Sequence, residues 1–141
     1  MKTSIKWDGK LAFSGIAPSG HEIKMDTAES LGGDNSAPTP VELLINAVAG
    51  CTAIDIVLIL EKMRLKLTSF EIEVNGERAE EHPKRFTDIH LHYILSGELD
   101  TEKVRKAIKL SKDKYCSVAH SLNANITAGF TLNGTKDEEV L

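Results

Sequence analysis

The sequence is poor in cysteine, with two in 141 residues. So few thiols exclude the disulfide-stapled scaffold of a small secreted domain. Neither cysteine has a second Cys or a His at ligand spacing, so no metal site is expected from the spacing, and no cofactor motif is present. No run of like charge exceeds a few residues, and the net charge is -4. That argues against a nucleic-acid partner, because phosphate contacts need a basic face. The N-terminus, Met1-Lys2-Thr3-Ser4-Ile5-Lys6, lacks an apolar segment and a small-residue cleavage site. A cytoplasmic, reducing location is therefore expected, where the thiols are free or form a redox pair. The longest apolar stretch, Leu43 to Leu60, is interrupted by Asn46 and Asp55. It reads as a core helix and not as a membrane span.

What is present suits one α+β domain over residues 1–141. Hydrophobic residues make up 41% and charged residues 27%, enough for a core without staples. Residues 2–27 read as a small antiparallel sheet: Ile5 and Trp7 alternate with polar residues, Asp8-Gly9 turns, and Ile23 and Met25 share a face. Residues 28–39, rich in Gly, Ser, Asn, Asp and Pro, read as a loop. Thr39-Pro40-Val41-Glu42 then carries a capping box, with proline at the first helical position. The helix it opens is expected to run to about Met63. Leu43, Leu44, Ala47, Val48, Cys51, Ile54 and Val57 leave it little polar surface, so it must be enclosed, and a second subunit is expected to help.

Phe70, Ile72 and Val74 alternate with Glu71 and Glu73, and Ile89, Leu91, Tyr93 and Leu95 with His90, His92 and Ile94. These are two strands joined across a polar connection from Arg78 to Arg85. Asp100 or Thr101 caps another helix, whose inner face is Val104, Ala107, Ile108 and Ser111. A further helical turn starts near Cys116, Asn125 to Leu132 is a last strand, and Thr135 to Leu141 reads as frayed.

The chemistry-bearing candidates are Cys51, three turns into the long helix, and Cys116. Two distant cysteines fit a thiol peroxidase, in which a thiolate becomes a sulfenic acid and a second thiol condenses with it. From residue type and context alone they read first as buried apolar fillers. Glu42 reads first as a capping-box member. Asp55, one turn beyond Cys51, reads as a buried polar contact facing a similar direction. His120 reads as a helix-surface residue, His90 and His92 as paired on one strand without a third ligand, and Arg85, Lys112 and Lys114 as surface cations.

Pro38-Thr39-Pro40-Val41-Glu42-Leu43-Leu44 with Ala47-Val48-Ala49-Gly50-Cys51 resembles the helix motif of the OsmC / organic hydroperoxide resistance (Ohr) family. Tyr115-Cys116-Ser117-Val118 resembles its second cysteine motif. The stretches around both cysteines look closest to a less characterised bacterial OsmC-like branch. The resemblance implies an OsmC-like fold, with antiparallel sheets wrapped around long central helices in an intertwined homodimer. It implies reduction of organic hydroperoxides, in defence against oxidative stress, with Cys51 peroxidatic and Cys116 resolving, and an external thiol reductant as electron donor. It also implies an N-terminal arginine held by a glutamate directly after the helix proline. In this chain the first arginine is Arg64 and that position is Val41, so Lys10 and Glu42 are the candidate supporting residues. Lysine lacks the planar fork of arginine. The other readings are a non-catalytic small-molecule-binding protein on the same scaffold and a redox-sensing interaction protein.

Overall fold

The computed structural model describes all 141 residues, which form two compact units, 1–44 and 45–141. In the first unit three antiparallel strands, β1 (Ser4–Gly9), β2 (Ala12–Ile16) and β3 (Glu22–Met25), pair in chain order. The register sets Ile5 opposite Gly15, Trp7 opposite Phe13, Phe13 opposite Met25 and Gly15 opposite Ile23. Directly paired residues share a face. Ile5, Trp7, Phe13, Ile23 and Met25 therefore form one apolar face, much of which stays exposed; Trp7 is 63% accessible.

The loop that follows is organised by the buried carboxylate of Asp26. It accepts from the Thr27 N–H at 2.7 Å, the Ser36 N–H at 3.1 Å and the Ser36 hydroxyl at 2.5 Å. Gly33 closes the loop where a Cβ would lie 2.3 Å from the Thr27 carbonyl oxygen, so no other residue fits without movement.

Helix α1 spans Pro40–Lys62, about 34 Å of rise. Its capping box forms as the sequence leads one to expect. The Glu42 N–H donates to the Thr39 hydroxyl at 3.2 Å, and the Thr39 N–H donates to the Glu42 carboxylate at 2.8 Å. Within one chain the helix is enclosed along a single stripe: Val48, Thr52, Ile56 and Leu60, at successive i+4 positions, are buried. Ile54 and Leu58 on another face are 64% and 50% accessible. By length and composition alone α1 is apolar enough to cross a membrane.

In the second unit β4 (Lys66–Arg78) and β5 (Phe86–Glu98) form a long antiparallel hairpin, and β6 (Asn125–Leu132) and the short β7 (Thr135–Lys136) complete a sheet in chain order. The hairpin strands are 13 residues each, well beyond the alternating segments 70–74 and 89–95 that mark them in the sequence. Ile89, Leu91, Tyr93 and Leu95 face inward, next to Ala128, Phe130 and Leu132 of β6. The β5–β6 pair is parallel, so the chain must cross over between them. That crossover consists of α2 (Thr101–Leu110), one wide turn and the short α3 (Ser117–His120). Asp100 caps α2, accepting from the Lys103 N–H at 2.9 Å.

The C-terminal segment is not frayed. Leu141 exchanges two 2.8 Å backbone hydrogen bonds with Ala128, and the Arg105 guanidinium holds Asp137 at 2.5 Å and Glu139 at 2.9 Å. Backbone pairing and a half-shielded ion cluster hold what a polar tail sequence suggests is loose.

Candidate active site

Two elements bring the cysteines together. Helix α1 carries Cys51 three turns in from its start, and the i, i+4 spacing sets Asp55 on the same side. The crossover carries Cys116. After α2 the chain makes a single wide turn, Ser111–Tyr115, closed by a 2.8 Å bond from the Cys116 N–H to the Ser111 carbonyl oxygen five residues back. Such wide turns insert a residue into the helical path and recur at functional sites. Cys116 then leaves helical geometry, at φ -69° and ψ 102°, and caps α3. Its sulfur accepts from the Ala119 N–H at 3.4 Å.

The result is a three-residue cluster. The sulfurs of Cys51 and Cys116 and a carboxylate oxygen of Asp55 all lie within 4.8 Å of one another. Both cysteines are free thiols; Cys51 is half-buried and Cys116 has no accessible surface. Burial pushes the Cys116 thiol up to about 11, against the weaker opposing pull of the Ala119 N–H, and the neighbouring Cys51 adds to the rise. At neutral pH Cys116 is therefore a protonated, shielded thiol, whereas Cys51 is the cysteine that keeps some exposure.

Asp55 is held by the crossover. The Ser111 hydroxyl, fully buried, is shared between the Asp55 carboxylate at 3.1 Å and the Thr52 carbonyl oxygen at 3.2 Å. From the sheet side comes Tyr93. Its hydroxyl is buried and makes no hydrogen bond of full geometry, and the Thr52 hydroxyl beside it interacts closely enough to pull the phenol's value down in part. Burial drives the phenol far above its ordinary value, and the charges of Cys116 and Asp55 push the same way. A groove of about 450 Å³ runs beside the cluster, lined by Asp55, Leu58, Ile59, Lys62, Leu110 and Tyr115.

The other residues singled out in the sequence lie elsewhere. Lys10 belongs to the first unit and pairs with Asp34 at 2.6 Å. Glu42 is in its capping box. His90 and His92 point to the outer face of the sheet, opposite Tyr93, bonded to Thr127 at 2.8 Å and Thr131 at 2.9 Å. The His120 side chain is exposed at the end of α3. Arg85 donates to the Asn123 carbonyl oxygen, Lys112 pairs with Asp113, and the Lys114 ammonium sits 5.4 Å from the Tyr115 ring centre. Tyr93 and Ser111 were legible in the sequence only as inward-facing positions of a strand and a helix.

The comparisons with known proteins agree with this architecture. Residues 33–130 match the family model described as OsmC-like protein. Protein YhfA of Escherichia coli K12 is 43% identical over 133 residues, covering 92% of this chain and 96% of that protein. A hypothetical protein from Aquifex aeolicus, of known crystal structure, is 27% identical with a TM-score of 0.77 over 94% of this chain and 96% of its own. The organic hydroperoxide resistance protein OsmC of Legionella pneumophila, 16% identical, shares the fold with a TM-score of 0.67 over 94% of this chain and 96% of its own. With a family match across most of its length and a curated relative at this identity, the chain belongs to the OsmC-like protein family.

Proposed function

We propose that the protein is a thiol peroxidase that reduces organic hydroperoxides in a reducing cytoplasm, using Cys51 as the attacking thiol and Cys116 as the resolving one. The observation that carries this reading is the approach of the two sulfurs to within 4.8 Å, although 65 positions separate them in the chain. The division of labour follows from burial. The accessible Cys51 meets the peroxide, and the shielded Cys116 meets only what Cys51 becomes. The Cys51 thiolate attacks the terminal peroxide oxygen, the O–O bond breaks, and an alcohol leaves with a proton; Cys51 is now a sulfenic acid. The Cys116 sulfur displaces the sulfenic oxygen as water, forming the disulfide. Two equivalents of an external thiol then restore both cysteines and leave as a disulfide of their own. The sulfurs must close to about 2.05 Å in the second step.

The apolar groove beside Asp55 suits the organic part of such a substrate. Membership of the OsmC-like family, and structural likeness to proteins named for organic hydroperoxide resistance, support a role in peroxide stress. The homodimer belongs to the same reading. The apolar face of β1–β3 and the Ile54–Leu58 face of α1 both want cover, and each large side chain fully withdrawn from water contributes about 1.5–3 kcal/mol.

The test is mass spectrometry after one equivalent of cumene hydroperoxide. A Cys51–Cys116 disulfide, formed with loss of two hydrogens, is expected. Two unmodified thiols in folded protein would overturn the reading. The apolar groove also favours a second reading, a non-catalytic ligand-binding protein, and unreactive thiols with a co-purified apolar molecule in native mass spectrometry would select it.

A further inference from the structure

Helix α1 supplies a sulfur and a carboxylate one turn apart, and the crossover supplies a second sulfur to the same point. We propose that Cys51, Asp55 and Cys116 form a binding site for a soft divalent cation of the zinc class, and that such a cation and the disulfide exclude each other. In tetrahedral zinc sites the metal–sulfur distance of about 2.3 Å sets two bound sulfurs about 3.8 Å apart. Three donor atoms already within 4.8 Å of one another need only sub-ångström to ångström side-chain shifts to reach that arrangement. The donor set fits the cation: two thiolates select soft or borderline metals over magnesium and calcium, and the carboxylate supplies a third anionic ligand.

Two further features belong to a built site. Asp55 is held by the buried Ser111 hydroxyl at 3.1 Å through one carboxylate oxygen, which leaves the other free of that bond. Ligands fixed in this way by an outer partner bind more tightly. The buried Tyr93 hydroxyl, which makes no hydrogen bond of full geometry and lies within electrostatic reach of Cys116 and Asp55, is a further polar group beside the site. On binding, both thiols release their protons to solvent and a water takes the fourth position. Because the metal draws on the thiolate electron density that attacks peroxide, and a sulfur bound in a disulfide is no longer a thiolate ligand, the bound form reacts with oxidant more slowly and the disulfide form does not bind.

The experiment titrates the reduced full-length chain anaerobically with cobalt(II), a coloured stand-in for zinc. One cobalt per chain is expected, with thiolate-to-cobalt charge-transfer absorption and tetrahedral visible bands, all lost on adding zinc. Cys51→Ser should remove about half of the charge-transfer intensity, because one of two thiolates remains. Asp55→Asn should keep that intensity at saturation but weaken binding about tenfold or more. Zinc should also slow alkylation of Cys51 in the wild type, a readout that does not depend on any variant folding. Folded, reduced wild type with no charge-transfer band, or Asp55→Asn binding as tightly as wild type, would overturn the site. No peroxide enters this experiment. A chain that binds cobalt but consumes no peroxide sinks the peroxidase reading alone, and one that turns over peroxide but binds no cobalt sinks this inference alone.

Discussion

The Ser111 hydroxyl donates to the Asp55 carboxylate at 3.1 Å, across 56 positions of chain. It joins the crossover to the long helix at the point where the cysteines meet, and it does so with no accessible surface at Ser111. A buried hydrogen bond to a charged acceptor contributes about 1.5–3 kcal/mol. Ser111→Ala is expected to lower unfolding stability by about that much, read from the urea midpoint at unchanged m-value. No shift in the midpoint would show that water replaces the hydroxyl.

Tyr93 gives the opposite expectation. Its buried hydroxyl makes no hydrogen bond of full geometry, and an unsatisfied buried polar group costs about 1–3 kcal/mol. Tyr93→Phe should therefore raise the melting temperature of the reduced, metal-free protein. A fall would mean that the hydroxyl is hydrogen-bonded in solution.

The cysteines should differ sharply in reactivity. With Cys116 fully buried and Cys51 half-buried, a stoichiometric alkylating agent at neutral pH should label Cys51 first, as peptide mapping will reveal. In the peroxidase reading, Cys51→Ser abolishes peroxide consumption. Cys116→Ser instead consumes one equivalent and stops as a dimedone-reactive sulfenic acid. Equal rates in wild type and both variants would refute the mechanism.

Asp26 sets an acid limit on the first unit. The Ser36 hydroxyl and the Thr27 and Ser36 N–H groups hold its carboxyl at about 2, below the ordinary 3.8. A carboxyl depressed in the folded state contributes stability that is complete above the unfolded value and disappears as pH falls through the folded one. Protease cleavage or amide exchange in the loop 27–36 should therefore rise between pH about 4 and 2. Asp26→Asn should loosen the same loop at neutral pH and show no such acid transition.

The uncovered face of α1 makes a prediction about assembly. Wild type should elute at twice the chain mass at micromolar concentration. Ile54→Asp, which places a charge at a 64% accessible position, should elute as a folded monomer. A wild-type monomer would mean that the face is not covered by a second copy.

Much of this architecture was written locally. The Thr39–Glu42 box sets where α1 begins, because its reciprocal hydrogen bonds need only four neighbouring residues. The alternation at 89–95 names the inward side of β5 in the same way. The two cysteines and their flanking motifs point to the family and to the site. Local pattern fails where the partner is distant. The polar tail looked loose because Ala128 and Arg105, which hold it, lie far back in the chain. The long apolar helix is a different case: its composition already asked for more cover than one chain supplies, and one chain covers only the stripe from Val48 to Leu60.

By itself the sequence determined the helix start, the strand faces and the two cysteines on which the proposed chemistry rests, since each depends on residues within one or two turns. Only the tertiary structure decided that Cys51, Asp55, Tyr93, Ser111 and Cys116 share one place. That meeting depends on a parallel β5–β6 pairing, which forces the chain through a crossover and folds Ser111 and Cys116 back onto α1. Side-chain periodicity reports which way a residue faces, and it carries no information about which distant segment it will face.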